Sequence, residues 1–118
     1  MNNNKKVAYL VQPEPLRTIV ETIVKETQPE QVILFGSRAR GTDQGESDYD
    51  LLVVVRDVQN EREVSRPVYR ALLDKKTGAA VDVVVVNAEA LERYRENPFY
   101  VYGQALREGK VLYDHRGG

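Results

Sequence analysis

Three apolar runs constrain this chain more than anything else in it: Val32 to Phe35, Leu51 to Val55 and Val81 to Val86. All three are rich in β-branched or bulky residues, which favour strands. Their apolar character is continuous rather than alternating, apart from a single charge, Asp82. A strand of that kind is covered on both faces, so helices must lie on each side of the sheet. The rest of the chain supplies them. Leu16, Ile19, Val20, Ile23 and Val24 recur at helical spacing and predict a helix over about Pro15 to Glu26. A second helix is expected from Glu61 to Lys76, with Val64, Val68, Ala71 and Leu72 inward. Pro67 interrupts it, so the helix either starts at Ser65 or is kinked. Asn87 is placed to cap a helix running to about Glu96, and Phe99, Tyr102, Gly103 and Leu106 mark a last one. Lys110 to Tyr113 reads as a brief edge strand. The pattern predicts an α/β fold, a small mixed β-sheet flanked by helices.

Composition narrows the chemistry. At 118 residues, with neither repeats nor a Gly/Ser linker, one domain over 1–118 is expected. Seventeen Lys and Arg against eighteen Asp and Glu leave a net charge of −1, so direct nucleic-acid binding through a basic field is not expected. With no cysteine and one histidine, thiolate metal sites, Cys nucleophiles and a Ser-His-Asp triad fall away. The longest apolar runs are far short of the roughly 20 residues a membrane helix needs. Met1 to Lys6 is polar and no targeting segment stands out, so a cytoplasmic protein without membrane contact is expected. Carboxylates, hydroxyls and backbone are what remain to do any chemistry.

They gather between Phe35 and Asp50. Gly36-Ser37 follows a strand, where backbone N–H groups and a hydroxyl converge in a way that suits phosphate oxygens. Ser37 is placed to cap the helical turn that follows, and Arg38 and Arg40 add positive charge. Asp48 and Asp50 stand two apart in extended chain, on one side and about 6.7 Å from each other. Two such carboxylates suit Mg²⁺, which takes oxygen ligands and leaves positions for substrate phosphates. Asp82 puts a third charge into an apolar strand, where an unpaired carboxylate is costly. Each feature alone is commonly a turn or a solvated end. Gly-Ser followed at fixed offset by Asp-x-Asp should occur by chance in about one chain in a thousand of this length.

This arrangement resembles the nucleotidyltransferase superfamily that includes DNA polymerase beta. More narrowly, LFGSRARGTDQGESDYDLLVVV together with VDVVVV is similar to the minimal nucleotidyltransferases, the MntA-like antitoxin group. The resemblance implies the polymerase beta-like catalytic fold. It further implies that Gly36 and Ser37 hold the triphosphate of ATP, with Arg38 and Arg40 nearby. Asp48 and Asp50 would bind two Mg²⁺ ions (or Mn²⁺), and Asp82 would be the third metal-site carboxylate, the one that activates an acceptor hydroxyl. Larger relatives carry a further helical domain for the acceptor; this chain is expected to lack one. The implied partner is a HEPN-domain toxin, adenylylated on a tyrosine.

Two other functions stay open: a homodimeric small-molecule nucleotidyltransferase, and a nucleotide-binding or partner-capping module without turnover. The complete carboxylate set argues against the last. Arg62, Arg66 and Arg70 form a basic stripe read as a solvated face. Tyr49 is expected to turn its ring away from the aspartates that flank it, and Tyr94, Tyr100 and Tyr102 to pack at the rim of the core.

Overall fold

A computed structural model describes residues 8–9, 12–41 and 48–115. The polar start of the chain and Ser47 lie outside the described residues. The elements run β1 (Ala8–Tyr9), α1 (Leu16–Thr27), β2 (Gln31–Phe35), α2 (Gly36–Arg40) and β3 (Tyr49–Val55). They continue as α3 (Glu61–Lys75), β4 (Val81–Asn87), α4 (Ala88–Tyr94), α5 (Gly103–Glu108) and β5 (Lys110–Asp114). The strands form one mixed sheet in the order β1-β5-β2-β3-β4. Only β3 and β4 are parallel, joined by α3; the other pairs are antiparallel.

The continuous apolar runs do what their pattern requires. All of Leu51 to Val55 is buried, and successive side chains feed opposite layers. Leu51, Val53 and Val55 join Val83 and Val85 under α1 and α3, whose Ile19, Ile23 and Val68 are fully enclosed. Leu52 and Val54 join Ile33 and Val86 under α4 and α5, through Leu91 and Ala105. Helices therefore cover both faces, as expected of a small mixed α/β fold. Among the described residues no helix is long and apolar enough to cross a membrane.

Several local expectations are corrected. α3 starts at Glu61 and runs through Pro67. Asn60 caps it by accepting the Arg62 N–H at 3.0 Å, and Glu61 and Glu63 suit the positive end of the helix. The proline ring sits on the exposed face, while Val68 and Leu72 beside it hold the helix to the sheet. β5 is not an edge strand: it lies between β1 and β2, because its buried Leu112 and Tyr113 need neighbours on both sides. The last helix starts only at Gly103, so Phe99 and Tyr102 precede it, and Phe99 is 92% exposed. Ser37 does not cap α2, since the cap position is Phe35 and Ser37 lies inside the helix.

Asn87 occupies the position before α4 without capping it. Its side chain instead acts as a two-way clamp on the chain after β3, accepting the Val58 N–H at 3.3 Å and donating to the Val58 carbonyl at 2.7 Å. Replacing Asn87 with Ala leaves both half-buried backbone groups unpaired, at a cost of about 1–2 kcal/mol. Thermal melting of Asn87→Ala should show a midpoint several degrees lower, and an unchanged midpoint would mean water serves Val58 equally well.

Candidate active site

The strand register sets the site. Phe35 of β2 pairs with Asp50 of β3, and Asp50 pairs with Asp82 of the parallel β4. In-register neighbours point to the same face of a sheet. Asp50 and Asp82 therefore share the face of Leu52, Val54 and Val86, toward α4 and α5. Tyr49 and Leu51 take the other face, against the α1–α3 layer. Asp48 stands exposed just before β3, on the side of Asp50 by the two-residue repeat. The Tyr49 N–H donates to the Ala80 carbonyl at 2.9 Å, which ties the entrances of β3 and β4 together.

The chain then turns sharply over this pair. Gly36 follows β2 with φ +76°, a conformation that L side chains rarely adopt. A Cβ at this position would run into the Asp50 Oδ2 and lie 3.2 Å from its Cγ. Glycine is thus required twice, for the turn and for the approach to the carboxylate. α2 carries Ser37, half-buried, and Arg40, exposed, out from that point.

Asp50 senses the other two aspartates. The Asp50 carboxyl is held above its ordinary value, first by burial, then by the charge of Asp82, then by that of Asp48. No described lysine or arginine forms an ion pair with any of the three. Nor do three acidic or histidine side chains, among the described residues, close into a ready cation cage. The donor set still fits magnesium, which is commonly held by one or two carboxylates together with substrate phosphates.

A groove of about 330 Å³ opens beside the pair. Gly36, Arg40 and Asp82 line one part of it, and Phe35, Val84 and Tyr102 give it an apolar wall. Arg40 thus lines the same groove as Gly36 and Asp82. Arg38 does not line the groove: its guanidinium lies 4.0 Å over the Tyr49 ring, a cation–π contact made with a residue of the opposite face. Tyr100 and Tyr102 pack at the core rim as expected, with ring centroids 5.7 Å apart. The part Tyr102 plays in the groove wall was not foreseen, because helical periodicity does not reveal which rim residue overlooks a cleft. Tyr69, whose hydroxyl reaches the Asp82 strand, left no signal in the sequence at all.

Residues 17–116 match the family model for polymerase beta, nucleotidyltransferase. The chain belongs to this nucleotidyltransferase family. Two solved structures are similar to it. One is described as a candidate nucleotidyltransferase from Sulfolobus solfataricus; it is 24% identical with a TM-score of 0.60, covering 87% of this chain and 80% of that one. The other is a toxin–antitoxin structure with AMP-PNP, 22% identical with a TM-score of 0.51, covering 82% of this chain and 72% of that one. At these identities they establish the shared fold. No curated protein matches the chain.

A raised acid works against folding once it ionises. The stability contributed by protonated Asp50 is fully present below the ordinary aspartate range and is lost as pH rises through the raised value. Asp50→Asn should therefore melt above wild type at pH 7 in chelator, and the difference should shrink toward pH 4. Melts of both proteins across that range test it; a gain that does not vary with pH would point to packing rather than charge.

Proposed function

We propose that this nucleotidyltransferase moves AMP from ATP onto a tyrosine hydroxyl of a HEPN-type toxin in the cytoplasm, and so acts as its antitoxin. The observation that carries the reading is the register of Asp50 against Asp82 beneath the Gly36 turn. It puts carboxylates and a strand-to-helix turn side by side, as transfer at a phosphorus centre requires. The toxin–antitoxin structure with AMP-PNP, similar in fold, supports the choice of nucleotide and of a protein acceptor. So does the rim of the groove, where Val101 and its near neighbour Phe99 are 77% and 92% exposed. Large apolar side chains left in water beside a cleft suit a macromolecular partner.

In this reading Gly36, Ser37 and Arg40 bind and orient the triphosphate, through backbone N–H groups, a hydroxyl and a guanidinium. Asp48 and Asp50 would hold magnesium, with Asp82 as the third carboxylate at the metal; when bound, the metal offsets phosphate charge and favours ionisation of the acceptor. The apolar wall of Phe35, Val84 and Tyr102 receives a ring and keeps bulk water from it. The acceptor oxygen bonds to the α-phosphorus as the bond to the pyrophosphate oxygen breaks. Asp82 takes or positions the tyrosine proton, and pyrophosphate departs.

A proton-accepting carboxylate contributes about 10²–10⁴-fold to rate. Asp82→Asn should lose that much turnover yet still bind Mg-ATP by calorimetry, more weakly, through Asp48, Asp50 and the Gly36 turn, whereas Ser37→Ala should weaken nucleotide binding. Intact-mass spectrometry of a co-expressed HEPN-type partner reads the product. A partner neutralised equally by wild type and Asp82→Asn, and never gaining the mass of AMP, would show protection by contact and overturn the enzymatic reading.

A further inference from the structure

β4 is the outermost strand of the sheet among the described residues, so one side of its backbone has no strand partner. At one position that edge is closed by a side chain. The Val83 N–H donates to the Tyr69 hydroxyl at 2.7 Å, a well-formed bond. The single hydroxyl proton then has two acceptors within reach, the Val83 carbonyl at 3.3 Å and the Asp82 Oδ1 at 3.5 Å. Tyr69 comes from α3, next to Val68, which is fully buried against the core, so packing sets the line along which the phenol reaches the edge. One oxygen thus touches both the backbone that carries Asp82 and its carboxylate.

From this geometry we propose that Tyr69 is a positioning residue for the site, resting on the reading of Asp82 given above. By fixing the edge of β4 at Val83 it fixes where the Asp82 backbone stands relative to Asp50. By offering its proton to Oδ1 it selects one orientation of a carboxylate that lines the groove. Two features separate this from a plain edge plug. The hydroxyl sits at the strand position immediately after the charged residue, and its proton has the carboxylate as an alternative partner. The contact to Oδ1 is about half an ångström longer than a well-formed O–H···O bond, and such contacts commonly tighten once substrate is in place.

A double-mutant cycle distinguishes a role exerted through Asp82 from a general one. Mn²⁺ serves as the probe, its dissociation constant read by electron paramagnetic resonance for wild type, Tyr69→Phe, Asp82→Ala and the double variant. Melting curves establish that each is folded. Outer partners of metal-site carboxylates are commonly worth about tenfold or more in affinity. Tyr69→Phe should weaken Mn²⁺ binding by about that factor in the wild-type background and by nothing further beside Asp82→Ala. Unaltered Mn²⁺ affinity in Tyr69→Phe, or an equal loss in both backgrounds, overturns the positioning role while leaving the site reading intact. Failure of the wild type itself to bind Mn²⁺ overturns both. A check independent of any substitution is proton NMR of the wild type, where the Tyr69 ring protons flanking the hydroxyl should show a cross-relaxation signal to the Val83 amide; its absence also overturns the proposal.

Discussion

The site depends on one constraint, the burial of β3 on both faces. Leu51 to Val55 contribute five consecutive enclosed side chains, alternately to the α1–α3 layer and the α4–α5 layer. A slip of one residue would exchange every one of these between layers, so the register is strongly specified. That register sets Asp50 between Phe35 and Asp82. The polar end of the strand has no apolar force of its own to hold it. Its position is inherited from the valines and leucines that follow.

What the register builds is electrostatically unfavourable, and the chain accepts it. Asp50 is partly desolvated and faces two like charges, which is why its proton is held more tightly than usual. Gly36 brings the chain close over the same carboxylate, into space that no larger side chain could share with it. Such a cluster is tolerable because the adjoining core is rigid and because a bound cation would reverse the sign of the local field. Functional sites commonly hold strain of this sort against a stable surround.

Much of this was legible in the residues. Continuous apolar runs foretold a doubly covered sheet, and the charge inside one of them marked Asp82, which the register sets beside Asp50. Gly36, Ser37, Asp48 and Asp50 were marked by spacing and by resemblance. Several of the failures share a physical cause, pairing between distant segments that local pattern does not encode. Asn87 has the chemistry of a helix cap, but the backbone of Val58 lies within its reach and takes both of its amide groups. β5 looks terminal in sequence yet is internal in space. Arg38 is adjacent to the phosphate turn in sequence, while the helical turn of α2 carries its guanidinium over Tyr49. Tyr69 is an ordinary amphipathic helix residue until the neighbouring strand edge is known.

The two ends of β3 show how the chain separates stability from function. Just beyond its last residue, Arg56 binds Glu30 and Glu92 through its guanidinium and lies 3.6 Å from Glu89, joining the start of β2 to α4. These groups are largely exposed, so the cluster adds little free energy pair by pair. Its effect is orientation: each of the three carboxylates there has the same guanidinium as a partner. At the opposite end, among the described residues, Asp48, Asp50 and Asp82 have no cation from the protein. A chain with 17 basic side chains does not lack the means to balance them. In the proposed function, a divalent ion brought in with a polyphosphate would supply at that end the positive charge that the described residues do not. The same strand thus meets a cation of the chain at one end and, among the described residues, none at the other.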